Sequence, residues 1–370
     1  MMAYSVGAAR RTPVVEVALT EAIGRVLAVD LRAKTDLPIN ATSAVEGWAV
    51  AGDGPWTIVA EAPAELVSGT AVAIAAGAAV PSGARAVLRR KDARFDGEAL
   101  EAQRVPSGRD IRPAGEECHA GAVLLAAGTT LSPPMVGLAA AAGWESLTVA
   151  RRPDVELLFL RGGPTGASEH PDALGPQLPA WIASYGGYLA GGAKHCEIAG
   201  ATVRALQCQA DVIVIVAGNA ASGREQLRSV LEDSQAEVII DGVAVRPGHP
   251  ATLALLPTGR IAVGLPNTPQ SALLGVITLL GPIFAGLQGR VIGPLTTGRL
   301  DQAIPGRGAD TVLRPVTRTL TPGVYSPVDY VGAGMLRGFA AADGIAVVPS
   351  GGRHAGSVVD ILALPWTSAC

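Results

Sequence analysis

The sequence predicts a multi-domain protein of the α/β plus β class, and three observations predict it. Between Asp154 and about Leu287, near-continuous apolar runs alternate with helix-like segments, the pattern of a parallel sheet covered on both faces. From about Trp56 to Leu125 the runs are short and alternating, with Gly and Pro turns between them, as in a small β-rich domain. After Gly293-Pro294, strand-like pieces recur at Asp310–Leu313, Ile345–Val348 and Val358–Leu362, which predicts a C-terminal β domain. At 370 residues the chain is too long for one ordinary core, in keeping with several domains.

The elements follow in chain order. Val15, Leu19, Ile23 and Val26 recur at helical spacing with Glu16 and Glu21 between them, which predicts an amphipathic helix; Asp36-Leu37-Pro38 breaks it. Thr57–Val59 and Ala71–Ile74 predict strands, punctuated by the turns Val80–Gly83 and Val105–Gly108. Leu131–Gly143 predicts a short helix with prolines in its first turn and glycine after its end. Its return makes the β-rich segment an insertion into the first domain. Strands are predicted at Val155–Leu160, Val212–Val216 and Ile261–Val263. The expected boundaries are 1–44 with 128–152 for an N-terminal linker domain, 45–127 for the inserted β-rich domain, 153–290 for the α/β domain and 291–370 for the C-terminal β domain.

Composition removes several function classes. Hydrophobic residues make up 49% and charged residues 16%, the balance of a well-buried globular protein. A formal net charge of -3 and a pI near 6.0 argue against a nucleic-acid or anionic-membrane partner. The start, MMAYSVGAARRTPVVEVAL, lacks the charged-then-apolar pattern of a signal peptide, so a cytoplasmic location is expected. Cys118, Cys196, Cys208 and Cys370 show neither CxxC nor metal spacing and fit reduced thiols. The longest apolar run, Ala272–Leu287, is interrupted by Gly281-Pro282 and follows a turn, which predicts a buried helix and no membrane span.

Ligands of parallel sheets sit at the carboxyl ends of the strands, and two strand-to-helix turns stand out there. The first, Ala217–Gly223, contains Gly218, Asn219, Ser222 and Gly223 ahead of a helix-like segment. Small residues let backbone N–H groups approach an anion, and a helix N-terminus adds partial positive charge. An ordinary tight connection explains this turn equally well, and it is not a P-loop, since the lysine is missing. The second turn, Gly264–Ala272, is rigidified by Pro266 and Pro269. Asn267 and Thr268 offer hydrogen bonds, and Ser271 fits a helix cap. Two such turns on neighbouring strands favour a phosphate- or pterin-sized ligand. In Arg246–Pro250, Pro247, Gly248 and Pro250 fix a loop that presents His249 either to an anion or to solvent. Glu46 is the central carboxylate of Asp36–Val50, placed either to hold a divalent metal or simply to be solvated. Asp110–Glu117 fits an ion-paired loop or a functional one.

In combination these segments resemble the molybdopterin molybdenumtransferase family, which includes the gephyrin E domain. The resemblance runs in collinear order from roughly Pro13 to Leu364. Gly24-Arg-Val-Leu-Ala-Val-Asp30 is similar to G-R-V-L-A-E-D, and Asp36–Val50 to D-L-P-P-F-D-N-S-A-M-D-G-Y-A-V. Ala76–Ala84 is similar to T-G-A-x-x-P-x-G-A, and Ile111–Glu117 to the R-x-x-G-E-D loop. Val216–Gly223 resembles T-T-G-G-V-S-V-G, Arg246–Pro250 resembles K-P-G-K-P, and Gly264–Ala272 resembles G-L-P-G-N-P-V-S-A.

The resemblance implies an elongated MoeA-like fold and a homodimer, with the N-terminal linker domain serving dimerisation. It implies a site between the α/β domain of one subunit and the β domain of the other. Adenylated molybdopterin and molybdate are the implied substrates and magnesium the implied metal. Glu46 takes the catalytic and metal-contacting position. Gly218, Asn219, Ser222, Gly223, Pro247, Gly248, His249, Gly264, Pro266, Asn267, Thr268, Pro269 and Ser271 take substrate-binding positions.

The chain departs from the family pattern where charge and hydroxyl chemistry sit. The aspartate of D-G-Y-A is Glu46, the threonine of T-G-A is Ala76, and both acids of T-G-D-E-L give way to Gly163 and Pro164. An aspartate after the S-V-G turn is Gln226, the second lysine of K-P-G-K-P is His249, Gly-Asn of the last turn is Asn267-Thr268, and a late serine is Ala333. Two functions therefore follow as expectations: insertion of molybdate into adenylated molybdopterin, or binding of molybdopterin or molybdenum cofactor without turnover, for storage, delivery or sensing.

Overall fold

The computed structural model describes residues 1–95, 99–161, 172–207, 209–217 and 223–366. Near the N-terminus it corrects the expected amphipathic helix. Val14–Ala18 is a strand, antiparallel to Ser146–Ala150 with Val14 opposite Ala150, and only Leu19–Ala22 turns helical. Three valines in five residues fit a pleated surface better than a helix, where their χ1 freedom is lost. The short helix Pro133–Ala141 forms as expected, with Pro133 and Pro134 in its first turn and Gly143 at φ 85° after its end. It packs over Leu27, Leu131, Leu147 and Val149.

The inserted β-rich segment builds a four-stranded sheet in the order Thr57–Val59, Thr70–Ile74, Gly47–Val50, Ala86–Arg89. Side chains alternate across it. Ala49, Val72 and Val87 bury on one face, while Val50, Ala71 and Leu88 bury on the other against Trp56 and Leu100.

The α/β region is a six-stranded sheet in the order Tyr188–Cys196, Asp154–Leu160, Val212–Val216, Ile261–Leu265, Thr252–Leu255, Glu237–Asp241. The first four strands are parallel; Thr252–Leu255 runs against them and Glu237–Asp241 runs against it in turn, an edge that the apolar pattern did not reveal. Alternation again decides the layers. Val155, Leu157, Val212, Val214, Ile261 and Val263 face the long C-terminal helix of this region. Leu158, Leu160, Ile213, Ile215 and Ala262 face the amphipathic helices Ile198–Gln207 and Gly223–Asp233.

That long helix, Pro269–Gln288, is apolar enough to span a membrane by length and composition, but 89% of its most apolar window is buried in the protein. It is a core helix. A π-helical turn at Val276–Leu280 absorbs the backbone mismatch set by Pro282, whose ring clashes with a regular preceding turn. Gly289, at φ 66°, ends it.

The C-terminal strands close into a barrel in the order Thr311–Arg318, Val324–Pro327, Thr296–Leu300, Val358–Ala363, Gly344–Val348 and back to Thr311–Arg318. Val312, Val316, Ala346 and Ile361 fill its interior. Leu313, Phe339 and Ile345 point the other way and join the α/β core, so the barrel docks on the α/β sheet through a continuous apolar contact.

Candidate functional site

The two parallel strands Val212–Val216 and Ile261–Leu265 run in register, with Val216 opposite Leu265. The Ala217 N–H donates to the Leu265 carbonyl at 2.8 Å, so both strands end side by side. Neighbouring strand ends are what the sequence expected here. Of the first turn, Gly218, Asn219 and Ser222 lie outside the described residues, as do Gly163 and Pro164. Gly223 is buried and opens the helix Gly223–Asp233. Gly264 is a packing position: a Cβ there would lie 2.2 Å from Leu227 Cδ2 and 2.4 Å from Thr252 Oγ1. Its small size lets that helix settle on the strand.

In the second turn, Pro266, Thr268 and Pro269 are half-buried and Asn267 is exposed. Thr268 occupies the N-cap position without a side-chain cap bond, and Pro269 is the first helical residue. Ser271 is therefore not the cap. It sits inside the first turn, 3% exposed.

The amides of this helix end are not free for an anion. Pro269 has no N–H, Gln270 N–H donates to the Ala333 carbonyl at 2.9 Å, and Ser271 N–H lies 3.4 Å from the same oxygen. Ala272 N–H already makes an intrahelical bond to Thr268. A loop from the barrel thus occupies the amides of this second turn. Gln270, fully buried, fixes that loop: its Oε1 accepts the Gly332 N–H at 3.0 Å, while its Nε2 has no partner among the described residues. Sequence reasoning missed Gln270 and Ala333 as a pair. The available signal was a carboxamide at the head of an otherwise apolar helix.

The loop Arg246–Pro250 comes to the same place. Val245-Arg246 adds to the barrel beside Thr311-Val312, and Arg246 Nε donates to Asp310 at 2.7 Å. Gly248, buried at φ 120°, passes so close to the long helix that a Cβ on it would lie 3.5 Å from Leu274 Cβ and 3.9 Å from the Ser271 carbonyl. His249 is half-buried, with Pro247 and Pro250 beside it. Its Nδ1 donates to the Val243 carbonyl at 3.0 Å, and Val243 N–H returns a bond to the His249 carbonyl. The Nε2 edge is the part of the ring left for a ligand.

Glu46 stands apart from these turns in the fold. It is exposed and precedes the strand Gly47–Val50, with Gly47 paired to Arg89. No cluster of three or more His, Cys, Asp or Glu side chains suited to a metal forms among the described residues, so a lone exposed Glu46 does not fit a divalent cation within one chain. Ala76 is an exposed turn residue, and Gln226 lies half-buried on the helix Gly223–Asp233. Asp110–Glu117 is ion-paired: Arg89 grips Asp110 through bonds of 2.9 and 2.7 Å, and Arg112 binds Glu116 at 2.9 Å. The Arg89 fork holds the Asp110 carboxyl below its ordinary value.

Comparison with known proteins adds a second line of argument. Residues 3–143 match the MoeA N-terminal region, domains I and II. The molybdopterin molybdenumtransferase of Nostoc sp. is 27% identical over 308 residues, covering 77% of this chain and 69% of that protein. Molybdopterin molybdenumtransferase 2 of Mycobacterium tuberculosis is 29% identical over 300 residues, covering 72% of this chain and 74% of that protein. The molybdopterin biosynthesis MoeA protein of Pyrococcus horikoshii superposes with a TM-score of 0.75 at 25% identity, covering 98% of this chain and 97% of its own.

Proposed function

We propose, for a chain that belongs to the MoeA family, that it acts in molybdenum cofactor biosynthesis by binding adenylated molybdopterin and inserting molybdate into it. The observation that carries this reading is convergence. Gly248 lies against Ser271, so the Pro247-Gly248-His249 loop and the Gly264–Ser271 turn meet at the end of two parallel strands. Such a strand end is where α/β sheets place ligands.

In this reading Pro266 and Pro269 keep the turn rigid, Asn267 and Thr268 offer side-chain hydrogen bonds, and His249 presents Nε2. Gly218, Asn219, Ser222 and Gly223 complete the pterin side of the site. An oxyanion reaches the Gln270 and Ser271 amides only by displacing the Ala333 carbonyl. Glu46 acts from the β-rich domain of a second copy in a homodimer. Among the described residues the carboxylates do not assemble a magnesium site in one chain.

A second reading, binding without turnover, is favoured by that missing carboxylate set and by Gln226 in place of an acid. The deciding experiment supplies purified, folded protein with adenylated molybdopterin, molybdate and magnesium. Product formation that falls at least roughly tenfold in Glu46→Gln supports the insertase. Tight binding with no nucleotide release supports the silent binder, and failure to bind molybdopterin at all overturns both.

A further inference from the structure

In the β-rich region the strand Ala86–Arg89 runs into a 3-10 turn at Arg90–Asp92, and then into a hairpin of Arg94-Phe95 against Leu100-Glu101. Turn and hairpin enclose a cleft of about 650 Å³ with the buried Leu88 in its wall. That volume lies within the range of small-molecule sites, roughly 300–1,000 Å³. Among the described residues its ionic lining is lopsided: Lys91, Arg94, Arg104 and Arg109 face Asp92 and Glu101, in a chain whose net charge is -3.

Pairing makes the imbalance sharper. Arg109 is held by Asp92 at 2.9 Å, with Asp110 at 3.5 Å. Asp110 is already occupied by Arg89. Lys91, Arg94 and Arg104 make no ion pair among the described residues, and all three are exposed. By contrast, Arg151 meets Asp154 and Asp211, and Lys194 and Arg204 share Glu156. Three like charges around one concavity repel each other, and a ligand with several anionic oxygens relieves that repulsion while accepting their N–H groups. Among the described residues no aromatic side chain lines the cleft to stack on a base.

We propose that this cleft is a binding site for a small soluble ligand carrying linked phosphate groups, recognised through the phosphates alone. Lys91, Arg94 and Arg104 are the phosphate-binding side chains, and Asp92 positions Arg109 beside them. The site is separate from the strand-end turns and does not depend on what they bind.

The test is calorimetric titration of the full chain with inorganic pyrophosphate, inorganic triphosphate and ATP at low and high salt. Saturable binding is expected for all three, with triphosphate and ATP within a few-fold of each other. Affinity should weaken roughly tenfold or more at high salt. R94E combined with R104E should weaken it at least about tenfold, and Glu101→Gln should strengthen it. Thermal unfolding of these surface variants should match the parent. The proposal is overturned if pyrophosphate and triphosphate fail to bind. It is equally overturned if binding survives the double charge reversal, or if ATP binds while pyrophosphate and triphosphate do not.

Discussion

The Ala333 carbonyl accepts the Gln270 N–H at 2.9 Å, so a loop of the barrel caps the first turn of the long α/β helix. The Gln270 side chain strengthens that seal through Gly332 but leaves its own Nε2 buried and unpartnered among the described residues. One lost hydrogen bond, about 1 kcal/mol, is set against the relief of an unsatisfied donor, about 1–3 kcal/mol. Gln270→Leu should therefore change global stability little, while amide exchange across 330–335 rises roughly tenfold. If molybdopterin uses this helix end, adding it to the unmodified protein should raise exchange in the same loop. Binding that leaves the exchange unchanged would place the anion elsewhere.

Gly7 and Gly286 mark a second close approach, where the helix Met2–Ala8 crosses the long helix. A Cβ on Gly286 would lie 2.3 Å from the Tyr4 carbonyl and 2.6 Å from Ala8 N, and one on Gly7 would lie 2.2 Å from the Ile283 carbonyl. The obstacles are backbone atoms, which cannot rotate aside. Gly286→Ala should cost about 1–3 kcal/mol in urea unfolding. Gly137→Ala, in the helix Pro133–Ala141 with nothing within 4 Å, should instead stabilise by about 0.5–1 kcal/mol.

Acid should expose the Arg89–Asp110 pair. The guanidinium fork, with bonds of 2.9 and 2.7 Å, keeps the Asp110 carboxyl below its ordinary 3.8. A depressed folded value means that the stabilisation is complete above that ordinary value and is lost as pH falls through the lower folded one. Asp110→Asn should cost on the order of 1 kcal/mol at neutral pH, and the difference from the parent should close in strong acid.

Alkali should act through Tyr185, whose phenol is pushed up to about 12 by burial, with Arg290 pulling weakly the other way. Here the folded value exceeds the unfolded 10.0, so the stabilisation is complete below that value and disappears as pH rises towards 12. Stability should decline by up to about 1.4 kcal/mol per pH unit in that window. Tyr185→Phe should remove this part of the decline in urea titrations run at successive pH values.

What the sequence determined by itself was local. Val155–Leu160, Val212–Val216 and Ile261–Val263 announce buried strands because both faces of each are apolar, and Pro133-Pro134 with Gly143 bracket a helix because proline and glycine act on their own backbone. The turns after two parallel strands were legible for the same reason, as were the motifs that resemble one family. Tertiary structure decided what depends on residues distant in the chain. Val14–Ala18 became a strand because Ser146–Ala150 supplied a partner. Thr252–Leu255 reversed direction near the sheet edge, with Glu237–Asp241 antiparallel to it, and the barrel closed on itself. Most of all, only folding brought the Ala333 carbonyl to Gln270 and left Lys91, Arg94 and Arg104 without ion pairs among the described residues. A hydrogen bond or an unpaired charge belongs to two places in space, and one-dimensional periodicity records only one of them.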